Sequence, residues 1–213
     1  MVIWGASGHA MVVADMVRLR GDYTLVGFLD DIHPERRGAL FCGVPVLGGR
    51  EQLPALREMG VESIIVGFGQ CAARLEIARV VRTHGLKLAT AVHPGAIVAQ
   101  DAVIGAGTVI AAGAIVNPGC VVGENVILNT ASSIDHECVI ADGAHISPGA
   151  HLAGNVTVGR ATWVGIGATV IERITIGADC VIGAGAVVVR DVPAGVLAFG
   201  APARVIRRIK TDD

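Results

Sequence analysis

The chain has 213 residues, a formal net charge of −2 with neutral histidines, and 52% hydrophobic against 3% aromatic residues. That length holds two small domains, the charge offers no surface for nucleic acid or another polyanion, and no uninterrupted apolar run is long enough to span a membrane. The start MVIWGASGH lacks the basic stretch and cleavage site of a signal peptide, and five cysteines, an odd number, fit a reduced, cytoplasmic protein.

The first expected element is a strand at Val2–Trp4. The turn Gly5-Ala6-Ser7-Gly8-His9 follows, then a helix over 10–19 with Met11, Val12, Met16 and Leu19 at helical spacing. A second strand over 24–29 ends in Asp30-Asp31. Further expected elements are a helix near 51–59, a strand Ser63–Val66, a helix near 72–84 and a strand over 87–91. Alternating strands and helices imply a parallel sheet in a Rossmann-like half-domain over residues 1–92. Gly5 and Gly8 would let the backbone approach a ligand at a helix N-terminus, which attracts phosphate. Asp30 stands near the spacing at which a carboxylate meets a ribose hydroxyl. The same residues also fit a plain turn and a solvated acidic loop, and spacing leaves both readings open.

Pro94 biases His93 toward an extended conformation and ends the first half. A different pattern then takes over. From Val98 to Val188 every sixth residue is Val, Ile or Leu, sixteen in succession. A period of six fits short strands joined by sharp corners and wound into a solenoid. Hexads such as AVIGAG (102–107), CVVGEN (120–125) and ITIGAD (174–179) put the aliphatic residue at position three and usually a small residue at position one. Positions one and three share a face, so this pairing suits a narrow interior. Position four is often Gly or Asn, and the left-handed corner is expected there. Three hexads make a triangular coil of eighteen residues. No aromatic residue lies between Phe68 and Trp163, which agrees with a prism too narrow for rings. Cys120, Cys138 and Cys180 occupy position one and read as small buried hydrophobes.

Asp135-His136-Glu137 lies in the hexad SSIDHE. Ile134 faces inward, so His136 falls at a corner facing out. An exposed histidine on a solenoid reads first as a solvated surface residue. Its acidic neighbours can orient the ring and raise its basicity, and imidazole suits general-base catalysis near neutrality.

The iterated pattern resembles the left-handed parallel β-helix of hexapeptide-repeat acyltransferases. The motifs GASGH, LDD, VHP, ILNTASSIDHECVI, AGNV.VG and GAPARVIR narrow the resemblance, which runs nearly end to end. They are similar to the PglD-like and NeuD-like proteins, the bacterial nucleotide-amino-sugar N-acetyltransferases and sialic-acid O-acetyltransferases. The resemblance implies an α/β Rossmann-like half-domain followed by a left-handed β-helix over 93–213, a homotrimer with active sites between subunits, and acetyl-CoA as co-substrate without a metal. It implies His136 as catalytic base assisted by Glu137, with His145, Gly154, Ile166 and Ala184 along the acetyl-CoA path. It implies Gly8, His9, Asp30, Asp31, Gly67 and Asn129 on the side of the nucleotide sugar. GASGH with LDD favours N-acetylation of a nucleotide-linked amino sugar, of 4-amino-4,6-dideoxy type, over O-acetylation of a sialic acid by the same residues. Departures from the pattern are Ala184 where some relatives have Gly, Gly167 where Asn is common, Ala141 where Gly is frequent, and the GFG at 67–69.

Three rivals share parts of this pattern. A zinc enzyme of carbonic-anhydrase type needs three converging histidines. His136, His145 and His151 are spaced nine and six apart, which an eighteen-residue coil places on different faces. A nucleotidyltransferase would carry a longer N-terminal domain with a basic glycine-rich signature. A non-catalytic scaffold would leave GASGH, LDD and the His-Glu pair without a role. The basic tail, with Arg204, Arg207, Arg208 and Lys210, reads as a helix end whose cations suit the dipole, or as a partner for the 3′-phosphate of coenzyme A.

Overall fold

The computed structural model describes residues 1–209. Its N-terminal part contains β1 (Val2–Trp4), α1 (Gly8–Arg20), β2 (Gly27–Leu29), β3 (Leu40–Phe41), β4 (Val44–Gly48), α2 (Leu53–Glu58), β5 (Ser63–Val66), α3 (Cys71–Thr83) and β6 (Lys87–Leu88). The sheet order is β3-β4-β2-β1-β5-β6. All its pairs are parallel except β3 with β4. β1 is buried along its whole length, as a parallel strand covered on both faces must be. Its side chains alternate between two cores. Ile3 joins Ile65 and the α1 residues Ala10, Val13 and Val17 on one face. Val2 and Trp4 join Leu53, Leu56, Ile77 and Val81 of α2 and α3 on the other.

Several boundaries differ from the sequence reading. The strand expected over 24–29 is confined to Gly27–Leu29. The hairpin of β3 and β4 had no counterpart in the sequence reading. The strand expected over 87–91 is two strands: Lys87–Leu88 joins β5, whereas Ala91–Val92 pairs with Val109–Ile110 of the solenoid.

The solenoid has three parallel sheets, and each strand pairs with the one eighteen residues later. The first face runs from Ala91–Val92 through Val109–Ile110, Ile127–Leu128, His145–Ile146 and Trp163–Val164 to Val181–Ile182. The second carries Ile97–Val98, Ser133–Ile134 and His151–Leu152 among its strands. The third carries Val103–Ile104, Val121–Val122 and Val139–Ile140. Positions one and three fill the interior, as Cys120 with Val122 and Ala144 with Ile146 illustrate. Position-two residues point outward, but on the first face Val109 and Ile127, with Ala111 at position four, share one apolar cluster with α1 and β1. The Rossmann-like part thus docks on that face.

The left-handed corner is not at position four. Every sixth residue from Gly107 to Gly185 has a φ between 52° and 79°, and this is position six. Ala131, Glu137, Ala161 and Arg173 occupy that slot as well as glycines, Asn and Asp. Position four favours glycine for a different reason. A Cβ on Gly159 would lie 2.4 Å from the backbone nitrogen of Ala178, one coil on, and one on Gly105 would lie 2.5 Å from Gly123.

The tail also differs. Ala203–Arg208 is a strand, antiparallel to Val196–Gly200, and not a helix end. Val196–Gly200 extends the first face beyond Val181–Ile182 and leaves an open ladder edge, which the tail covers. Arg204, Arg207 and Arg208 are exposed on it, and Lys210 lies outside the described residues.

The two glycine constraints separate by mutation. Gly159→Ala should lower stability in denaturant by about 1–3 kcal/mol, through forced separation of coils. Ala161→Gly should leave it unchanged or raise it by up to about 1 kcal/mol, since relief of a left-handed alanine outweighs the added chain entropy.

Candidate active site

The sequence-derived residues fall into three groups. The first surrounds a cavity of about 440 Å³ at the C-terminal ends of β1, β2 and β5, lined in part by Gly5, Asp30, Asp31, Ile32, Phe68 and Gln70. This is the crevice where open α/β sheets take ligands. Asp30 is 6% exposed. Its carboxylate accepts from the Ile32 N–H at 2.9 Å, the His33 N–H at 3.2 Å and Arg36 Nη1 at 3.3 Å, and meets His33 Nδ1 at 3.1 Å. Burial alone would raise its pKa; the hydrogen bonds from Ile32 and His33 outweigh it and hold the pKa below the usual value. Asp31 accepts the Arg50 N–H at 2.7 Å and is forked by its guanidinium at 2.9 and 3.2 Å. Both carboxylates therefore brace the cavity rim. Gly5 and Gly67 are matched, since a Cβ on Gly5 would meet the Gly67 carbonyl at 3.1 Å and one on Gly67 would meet Ile3 at 2.6 Å. Gly8 opens α1, and it and His9 lie outside the cavity lining.

The second group sits where α1 and α3 meet the first face. His145 is 5% exposed, and its ring stacks on Trp163 at 5.1 Å between centroids and lies 6.5 Å from His9. Asn129 Oδ1 accepts the Thr130 N–H at 2.8 Å. That fixes the amide so that Nδ2 donates to His145 Nε2 at 3.1 Å. The His145 proton consequently resides on Nδ1, beside Gly69. Among the described residues His9 Nε2 has no hydrogen-bond partner and His145 Nδ1 meets only the Gly69 main chain; the unpartnered His9 atom marks a place for a ligand's polar group or for water. Burial first, and then the charge of Arg74, push the His145 pKa down to about 3 and that of His9 to about 4.

The third group lies on another edge of the prism. His136 Nδ1 is 3.2 Å from Glu137 Oε2, and Asn155 Nδ2 donates to the same oxygen at 3.1 Å. These two bonds, that of His136 foremost, lower the Glu137 pKa. Asp135 Oδ1 accepts the His136 N–H at 2.8 Å and Asn117 Nδ2 at 3.0 Å. The ring lies directly over Gly154, where a Cβ would come within 2.4 Å of Nε2. The side chains of His136 and Glu137 are 56% and 64% exposed.

Within one chain the third group stands on a different edge from the second. His136 and Gly154 follow second-face strands and stand on the edge between the second and third faces. Asn129, Ile166 and Ala184 follow first-face strands, on the edge between the first and second. His151 is engaged with Ser133 Oγ at 2.8 Å, and among the described residues no three His, Cys, Asp or Glu side chains gather as a metal site. Sequence reasoning did not single out Asn155 or Arg74, and it used Trp163 only to mark the end of the stretch without aromatic residues. Adding one coil of eighteen to Glu137 and to His145 would have found Asn155 and Trp163. Arg74, on a helix, carries no such signal.

Residues 1–81 match the PglD N-terminal domain and residues 155–190 the bacterial transferase hexapeptide repeats. The chain is 36% identical over 112 residues to the UDP-N-acetylbacillosamine N-acetyltransferase of Bacillus subtilis, covering 51% of this chain and about half of that protein's length, 50%. It is similar to the crystal structure of PerB from Caulobacter crescentus in complex with CoA and GDP-perosamine. The TM-score is 0.90 and the identity 39%, over 97% of this chain and 96% of that one. The acetyltransferase domain of PglB from Neisseria gonorrhoeae, in complex with acetyl coenzyme A, aligns with TM-score 0.89 and 38% identity over 96% and 98% of the two chains.

The two buried histidines predict a pH response. Their pKa values in the folded chain lie below the 6.5 of an unperturbed ring. From about pH 6.5 downward the unfolded chain binds protons that the folded chain refuses, so stability is greatest above this window and falls as the pH drops toward 4. Thermal midpoints measured from pH 7 to 4 should fall, and should fall less steeply in His145→Gln. Equal slopes in the two proteins would refute this assignment.

Proposed function

The chain belongs to the PglD-like hexapeptide-repeat acyltransferases, and on that premise we propose that it transfers the acetyl group of acetyl-CoA to the amino group of a nucleotide-linked amino sugar. The observation that carries the reading is the His136–Glu137–Asn155 array over Gly154. The α/β part takes the nucleotide, in the cavity braced by Asp30 and Asp31. The β-helix takes acetyl-CoA along the edge of Ile166 and Ala184.

In the proposed reaction the sugar amine attacks the thioester carbonyl. A C–N bond forms and a tetrahedral oxyanion develops, which the Gly154 main-chain N–H stabilises. His136 Nε2 accepts the ammonium proton, while Glu137 at Nδ1 stabilises the imidazolium. Collapse breaks the C–S bond, and the departing thiolate takes a proton from His136. Glu137 suits this role because its bonds to His136 and Asn155 keep it ionised. Acetylation of GDP-, UDP- or dTDP-linked 4-amino-4,6-dideoxy sugars, followed by CoA release, tests the reading directly. Silence with all three would refute it.

The assembly we propose is a homotrimer. One protomer's His136 edge would face its neighbour's edge bearing Asn129, Ile166 and Ala184, beside His145 on the first face. Two features support this: the separation of those edges within one chain, and an exposed aliphatic stripe of Val103, Val121 and Val139 on the third face.

His136→Ala should lower kcat by about 10²–10⁴-fold with little change in KM for acetyl-CoA; a kcat within about twofold of the parent would remove His136 from the role. Light scattering should report three times the chain mass. Coexpressed His136→Ala and His145→Ala chains should regain turnover that neither has alone. Failure to regain it would place the whole site in one chain.

A further inference from the structure

Arg74 is 1% exposed and ranks among the largest fully buried side chains. Its hydrogen bonds run almost wholly to main-chain carbonyls. Nε donates to Asn125 O at 3.2 Å, Nη2 to Gly143 O at 2.6 Å and Ala144 O at 3.1 Å, and Nη1 to Gly69 O, with Cys71 Sγ at 3.9 Å. A buried guanidinium is costly unless its donors are matched, and here each nitrogen has an acceptor. Three of these carbonyls belong to coils of the β-helix. The fourth, Gly69, belongs to the loop between β5 and α3. That loop is a wall common to two compartments: Gly69 lines the 440 Å³ cavity, and a Cβ on it would lie 3.5 Å from His145 Cε1.

We propose that Arg74 is a positioning residue, whose fork ties the Gly69 loop to the β-helix and so holds the nucleotide cavity and the His145–Asn129 pair in one fixed relation. The cavity half of this rests on the reading given under Proposed function. A cation that served only packing could be replaced by an apolar side chain without loss. The fork does what a point charge cannot, since it reaches carbonyls in two directions at once. The side chains facing His145 are His9 from α1, Arg74 from α3, and Asn129 and Trp163 from neighbouring coils. Movement of the loop that Arg74 holds would therefore be felt at His145 first.

The test is Arg74→Lys, which keeps the charge and loses the fork. Nitrogen-15 spectra of the histidine rings should show His145 in wild type as one neutral tautomer protonated on Nδ1. In the folded variant they should show a mixture of tautomers. Calorimetry with GDP and UDP as probes should show about tenfold or greater weakening, the worth of one charged hydrogen bond. Unchanged ring signals and unchanged nucleotide affinity in a folded variant would overturn the proposal. Nucleotide that binds neither protein would overturn the cavity reading, and the ring spectra would then decide the role of Arg74 alone. If the variant does not fold, wild type decides: GDP or UDP should shift the His145 ring signals, and binding without a shift overturns the proposal.

Discussion

A prism this narrow sets an inward Val, Ile or Leu at position three on each face of each coil from Val98 to Val188, and most other features of the chain follow from that regularity. Position three is Val, Ile or Leu and position one is usually small, with Val126, Val156 and Ile174 as larger exceptions, because both point into the same interior. Chemistry is thereby excluded from the core and confined to corners and outer faces. Corners on one edge recur every eighteen residues, so a catalytic array can be built along an edge by adding coils. Glu137 and Asn155 are related in this way, and His145 and Trp163 recur by the same interval on the first face. The same restriction keeps different edges apart, because the rigid face between them cannot fold inward. A reaction that needs groups from two edges then needs two prisms.

The docking of the α/β part obeys a second constraint. On the first face the outward position-two residues Val109 and Ile127 are apolar and continue the core of α1 and β1. One coil later the same position is His145, and one further it is Trp163. The gradient from aliphatic to polar aromatic along one face marks the edge of the docked domain, where burial gives way to a half-open site. His145 is buried between His9 and Arg74 of the α/β part and Trp163 and Asn129 of its own solenoid. Its lowered pKa is therefore a property of the interface.

How much of this was legible in the sequence follows from what each signal encodes. The hexad period reports side-chain direction, so the coils, the inward aliphatics and the corner position of His136 could be read directly. Backbone conformation is reported only through glycine, and glycine has two causes here. At position six it answers a positive φ, and at position four it answers the approach of the next coil. Composition could not tell these apart, which is why the left-handed corner was sought at position four. The tail strand was missed because Arg204, Arg207 and Arg208 suit a helix end as well as a strand, and the open ladder edge that decides between them is a tertiary feature. Arg74 was invisible because its partners on the β-helix are main-chain carbonyls 51 to 70 residues away.

The His136–Glu137 pair shows how a generic corner can serve a specific site. Side chains of adjacent residues in extended backbone point to opposite sides, so a histidine and the acid next to it do not ordinarily meet. Glu137 occupies position six, with φ of 57°. That reversal swings its carboxylate back beside His136 Nδ1. A left-handed non-glycine residue costs about 1–2 kcal/mol, yet Ala131, Ala161 and Arg173 bear the same conformation away from this array. The strain is thus a standing cost of the solenoid and not a sign of function in itself. What distinguishes Glu137 is the use of the reversed direction: one carboxylate oxygen takes both the ring of its own coil and the Asn155 amide of the next. The ring it orients then rests on Gly154, a position where any side chain would displace it.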